Sequence, residues 1–306
     1  MSPADDGIAG AQTPAHDPRN ADVLVSLNGA LVPKGEAKVS IFDAGFVLGD
    51  GVWEGIRLVE GRLVFLEEHL DRLYAGARTI RMDLGLDQAA MQARIEAVLD
   101  ANGMEDGVHI RLMATRGVKA QVNQDPRNAL GAATIAIVAE WKRPSAAVRE
   151  TGLTLFTSAI RTSAPDVFDM RLNSHSRLNY IIALTQAIEA GADEAVMLDP
   201  HGFVASCNST NLFYVRGGAL LTSTGRYCFN GITRGKVLLL AERLGLAVRE
   251  TDFTLAEAYE AEEAFVTGTF GGLTPVRALD GRTYGVDGPV ARRLREAYEA
   301  LVREAV

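Results

Sequence analysis

Lysine is scarce in this 306-residue chain. Lys34, Lys38, Lys119, Lys142 and Lys236 are the five, and the rest of its 31 basic residues are arginine. None of the five falls between Lys142 and Lys236, so chemistry that needs a lysine amine has nothing to draw on there. Cysteine is scarcer. Cys207 and Cys228 fit no zinc spacing and make no disulfide framework, which points to a reducing cytoplasm. No run is long and apolar enough to span a bilayer, so no membrane partner is expected. The first 22 residues lack the basic and apolar regions of a signal peptide and read as a disordered tail. The net charge of −8 argues against nucleic acid as a partner. No internal repeat is visible. What remains, 47% hydrophobic and 23% charged, is the composition of a soluble globular protein long enough for two domains.

The pattern changes along the chain. Residues 23–140 carry two hairpin signals, "DVLVSLNGALVP" and "GIRLVEGRLVFL", then two helical periods and two strands, an α+β unit. "WKRPSAAVRETG", residues 141–152, reads as a linker. Residues 153–306 alternate more: a strand, a helix from Ser174 to Ala190, two hairpins, a helix stopped by Gly245, a strand into a Gly-rich turn, and a last helix. The polar cluster Asn173, Ser174, His175 and Ser176 sits at the expected start of the first of those helices, with Asn173 or Ser174 as its cap.

Three segments suit a phosphate. "NGITRGK" sets Gly231 before a helix, whose first N–H groups and dipole favour an anion, with the Thr233 hydroxyl beside them. An ordinary helix capped by Thr233 is the plainer alternative. "VTGTFGGLTPV" ends a strand in Gly268-Thr269 and a glycine pair, a possible nest of amides or only a tight turn. Arg57 lies mid-strand, where it could clamp a phosphate or meet a structural carboxylate. "GDGVWEGIR" is one residue too long for a dinucleotide fingerprint and lacks a βαβ setting. "EEHLDRL" offers one histidine, His69, among acids that read as surface charge on a first helical turn, so no metal is expected.

In this order the segments "IFDAGFVLGDGVWEGIRLVEGRLVFLEEHLDRL", "HIRLMATRG", "GADEAVMLDPHGFV", "NLFYV", "NGITR" and "VTGTFGGLTPVRALDGRTYG" resemble the class IV (fold-type IV) pyridoxal-phosphate aminotransferases. That family includes the branched-chain and D-amino-acid aminotransferases; "VWEGIR" leans towards the branched-chain type. The resemblance implies an α/β protein of two domains, an α+β N-terminal one and an α/β barrel-like C-terminal one, usually in a homodimer. It implies a pyridoxal 5′-phosphate cup from Arg57, Gly231, Ile232, Thr233, Gly268 and Thr269. Phe229 falls against the cofactor ring, and Arg111 near a substrate carboxylate.

The departures are as specific as the match. Where the family keeps its Schiff-base lysine, ungapped counting from Gly191 gives Asn173 and the branched-chain spacing gives Leu172, neither a lysine; where the family keeps the glutamate that protonates the pyridine nitrogen, this chain has Ser206; and Leu48 stands for a common tyrosine. An amide forms no imine and does not titrate near neutrality. Three functions stay open. One is a divergent protein that binds a small phosphorylated or carboxylate ligand, or pyridoxal phosphate non-covalently, with His175 as acid or base. Another is a branched-chain transaminase using Lys119. The third is a non-catalytic binding dimer.

Overall fold

The computed structural model describes residues 17–286 and 288–304. These fall into two compact units. One runs to Arg143 and also takes Leu172–Arg177; the other takes Pro144–Arg171 and Leu178–Val302.

The first unit is built on an antiparallel sheet. Its strand order is Ala30–Pro33, Leu24–Leu27, Thr134–Trp141, Val108–Thr115, Gly51–Val59, Arg62–Val64. The two hairpins turn where the sequence places them. Asn28 and Gly29 take φ of 54° and 90°, and Glu60 and Gly61 take 48° and 80°, the positive pair that a two-residue hairpin turn requires. Alternation then divides the sheet. Val52, Ile56 and Leu58, with Ile110, Leu112 and Ala114, and with Ile135, Ile137 and Ala139, are buried in one cluster with the apolar faces of Leu66–Thr79 and Gln88–Ala101. Each such Ile or Leu side chain contributes about 1.5–3 kcal/mol by leaving water. The intervening residues point to the other face, where Trp53, Arg57, His109 and Arg111 gather.

Two expectations are corrected in this unit. The tail, where it lies within the described residues, is ordered: Pro18–Ala21 is a 3₁₀ turn capped by Asp17, and the Asn20 side chain bonds both backbone groups of Trp141. The rest of that segment, residues 1–16, lies outside the described residues. His69 is not surface charge. It is 1% exposed, with Nδ1 2.7 Å from Glu54 Oε2.

The second unit is a mixed sheet. Its path runs Val248–Glu250, Ala219–Thr222, Asn211–Arg216, Glu263–Gly268, Gly272–Leu279, Leu153–Thr157, Glu194–Leu198, Val204–Cys207. Leu178–Glu189 packs on Glu194–Leu198, and Ile232–Arg243 on Glu263–Gly268. The buried Glu263 carboxylate accepts the Val290 and Ala291 N–H groups at the start of Pro289–Glu304, the end of a helix that favours negative charge. Within Trp141–Gly152, read as a linker, Ala146–Thr151 is a short helix. The helix expected from Ser174 begins at Leu178. Asn173, Ser174 and His175 are held by Gly51–Trp53 instead, and that competition sets the start. Among the described residues no helix is long and apolar enough to cross a membrane.

Candidate functional site

The polar face of the first sheet is set by register. Gly55 lies opposite Arg111, Arg57 opposite His109 and Trp53 opposite Met113. Gly55 leaves the space that the larger groups use. A Cβ there would stand 3.1 Å from His109 Nε2 and 3.8 Å from the Trp53 ring. The Arg111 guanidinium stacks on Trp53 at 3.7 Å. Burial pushes the His109 imidazole down to about 3, and the charges of Lys142, Arg111, Arg57 and His69 push the same way. Burial and Arg111 also lower the Lys142 ammonium, despite Glu140.

His109 therefore makes a testable contribution to acid sensitivity. Its folded pKa, about 3, lies below its ordinary 6.5. Between these values the unfolded chain takes up a proton that the folded chain refuses, so stability falls as pH drops from 6.5 towards 3. The slope approaches one proton, about 1.4 kcal/mol per pH unit. Urea midpoints measured across that window are expected to flatten in His109→Gln.

The segment Leu172–Arg177 lies along the Gly51–Trp53 end of the same sheet. Trp53 N–H donates to the Asn173 carbonyl and His175 N–H to the Gly51 carbonyl, both at 3.0 Å, with an antiparallel bridge between Val52 and Ser174. The Trp53 indole N–H donates to the Ser174 carbonyl at 3.0 Å. Asn173 is buried, and its amide is used at both ends. Nδ2 donates to the Trp53 carbonyl and approaches Glu54 Oε1 at 3.5 Å, while Oδ1 accepts from Arg177 Nη2. Arg177 also lies over the Trp53 ring, at 5.4 Å. Burial lowers the His175 imidazole, and its buried Nε2 has no hydrogen-bond partner among the described residues.

Beneath them, Glu54 is wholly buried. It accepts two hydrogen bonds from Arg72, both 2.7 Å, and one from His69. Burial alone would raise its carboxyl; the Arg72 and His69 hydrogen bonds and charges outweigh burial and hold it below 4.5.

The second unit brings its phosphate-suited segments together. Gly231, not Thr233, is the N-cap of Ile232–Arg243, and no side chain caps that end. Asn211 fixes the approach: its Oδ1 accepts Gly231 N–H at 3.0 Å and its Nδ2 donates to the Phe229 carbonyl at 2.7 Å. A Cβ on Gly231 would meet Asn211 Oδ1 at 2.6 Å. Thr233 is buried, its hydroxyl 3.4 Å from that of Tyr298. The Tyr298 ring also stands 3.3 Å from where a Gly272 Cβ would be. Gly272 pairs with Gly268 to close the turn that carries Thr269. Tyr298 thus lies against both segments. Helical N–H groups without a side-chain cap, with Thr233 in the same first turn, fit a phosphate. Ser206 does not fit a pyridinium: it is buried and its hydroxyl donates to the Thr210 carbonyl at 2.8 Å.

Of the residues read from sequence, Asn173, His175 and Arg111 come together around Trp53, and Phe229, Gly231, Ile232, Thr233 and the Gly268–Thr269 turn around Asn211 and Tyr298. Arg57 belongs to the first unit, on the Arg111 face. Lys119 stands apart from Asn173's hydrogen-bonded neighbours. It is buried, and its Nζ donates to the Asp125 carbonyl of its own loop at 2.8 Å. Leu48 ends the Ala44–Leu48 helix and is exposed. Trp53, Glu54, Arg177, Asn211 and Tyr298 were not singled out in the sequence. Arg177 alone had a visible signal, four residues after Asn173 where one helical turn would return it.

The fold has close counterparts. A branched-chain amino acid aminotransferase from Thermobaculum terrenum, in its PLP-bound holo form, superposes with a TM-score of 0.81 at 27% identity, over 94% of this chain and 96% of that one. This chain therefore has the mixed α/β architecture of the fold-type IV aminotransferases. Residues 51–279 match the family model for amino-transferase class IV, and the chain belongs to that family. It is 37% identical over 90% of its length to a putative branched-chain-amino-acid aminotransferase of Methanocaldococcus jannaschii, covering 96% of that protein. It is also 37% identical, over 94% of its length, to branched-chain-amino-acid aminotransferase-like protein 1 of Arabidopsis thaliana, of which it spans only 52%.

Proposed function

We propose that this chain is a divergent class IV protein that holds pyridoxal 5′-phosphate, or a phosphorylated analogue, by non-covalent contacts and takes a small carboxylate ligand. The observation that carries this reading is the state of Asn173. Asn173, which the resemblance puts at the family's lysine position, is a buried amide held by Trp53 and Arg177 and lying close to Glu54, in a chain with no lysine between Lys142 and Lys236. The bound cofactor would supply an electron-withdrawing ring. Gly231, Ile232, Thr233 and Thr269 would hold its phosphate. His175 would hold or move a proton at Nε2, because burial keeps it neutral. We further propose a cytoplasmic homodimer; Ile41, Phe42 and Phe46, exposed on the first unit, support it.

If the cofactor is held only by such contacts, its aldehyde adds no covalent bond to binding. Pyridoxal phosphate and pyridoxamine phosphate should then bind with affinities within a few-fold of each other. Thr233→Ala should weaken both by about tenfold, the loss of one charge-assisted hydrogen bond. Calorimetric titration of the full chain measures this. A large preference for the aldehyde form would overturn the reading.

The relatives' names favour a second reading, branched-chain transamination through Lys119. It requires the Lys119 amine to leave the Asp125 carbonyl. Transaminase activity unchanged in Lys119→Ala would end it.

A further inference from the structure

We propose that Asn211 is the positioning residue of the second unit's phosphate site, acting through Gly231 on the helix that begins there. This rests on the reading that this end of the unit holds a phosphate, and adds what fixes its geometry. Two segments far apart in the chain must meet for that reading to hold, and Asn211 belongs to both. Its backbone stands in register with Thr267, the residue before the Gly268–Thr269 turn. Its side chain holds the other segment. Oδ1 accepts Gly231 N–H at 3.0 Å, and Nδ2 donates to the Phe229 carbonyl at 2.7 Å and reaches Cys228 Sγ at 3.8 Å. A backbone N–H only donates and a backbone carbonyl only accepts, so it takes a side chain with both an acceptor and a donor to serve this pair. Gly231 supplies independent support. Its φ of −64° is open to any residue, so conformation does not require a glycine there. Space does: a Cβ would stand 2.6 Å from Asn211 Oδ1, whereas Arg234 Cβ, at 3.9 Å, is in ordinary contact. The pin also leaves the helix open. Asn211 takes the N–H of the N-cap residue itself and no side chain caps that end, so the N–H groups of the first turn are left to an anion.

The test is calorimetric titration of the full chain with inorganic phosphate, pyridoxal phosphate and pyridoxal, which lacks the phosphate. Asn211→Ala should weaken the two phosphate ligands about tenfold, the scale of one misplaced charge-assisted hydrogen bond, and leave pyridoxal unchanged. Gly231→Ala should do the same, because its Cβ displaces Oδ1, and it serves where Asn211→Ala does not fold. The two changes should not add: once Asn211 is alanine the clash is gone, and Gly231→Ala should cost little more. A merely structural pin would lower the urea midpoint of the variants without this pattern. Folded variants with native phosphate affinity, losses that extend equally to pyridoxal, or fully additive losses would each overturn the proposal. Unchanged variants beside a native chain that binds phosphate overturn this inference alone. A native chain that binds neither phosphate nor pyridoxal phosphate overturns the reading beneath it as well.

Discussion

Glu54→Gln is expected to cost the first unit about 3–5 kcal/mol, the largest stability loss of any single change considered for this face. The carboxylate is wholly buried, neutralises Arg72 and accepts a hydrogen bond from His69, through contacts of 2.7 Å. Glutamine keeps the shape and one acceptor but removes the charge, leaving the Arg72 guanidinium with no opposite charge at that contact. Breaking a buried pair from one side is costly for this reason, although replacing the whole pair need not be. The Asn173 amide, 3.5 Å from Oε1, loses its neighbour's charge as well. The acid limb gives a second readout. The folded pKa of Glu54 lies below the ordinary 4.5, so its stabilisation is complete above 4.5 and is lost as pH falls through the folded value. Glu54→Gln should lack that limb while keeping the one due to His109. Urea unfolding followed by tryptophan fluorescence is the measurement, since Trp53 and Trp141 are the only tryptophans and both lie in this unit.

Asn173→Lys should give the largest functional change. An amine placed there lies beside Arg177 and Glu54. The guanidinium favours its neutral, nucleophilic form and Glu54 opposes it. The variant is expected to acquire, with pyridoxal phosphate, an imine absorbance band that borohydride removes. A variant that folds, binds pyridoxal phosphate and shows no imine would mean that Asn173 does not stand at the reacting carbon.

Much of the fold was legible in the sequence because it is local. Asn28-Gly29 and Glu60-Gly61 set their hairpins through backbone conformation that only certain residues adopt readily. Gly231 could be placed at a helix start because glycine is a favoured N-cap, although its backbone there is one that any residue adopts. What could not be read depended on partners far along the chain. His69 looks like one more polar residue of a charged helix start, and only the depth of Glu54, fifteen positions away, makes it buried. Asn173 looks like a helix cap. It fails as one because Gly51–Trp53 offers its backbone a partner first, and the helix waits until Leu178. Arg177 was legible only by its spacing from Asn173; that it shares Trp53 with Arg111, far away along the chain, was not. The phosphate segments were legible singly, and Tyr298, which lies against both, was not.

The most direct test of a non-covalent cofactor is the intact mass of the native chain after incubation with pyridoxal phosphate and borohydride, with Asn173→Lys alongside. The account predicts an unchanged mass for the native chain and one phosphopyridoxyl adduct on the variant. A stoichiometric adduct on a single lysine of the native chain would contradict it.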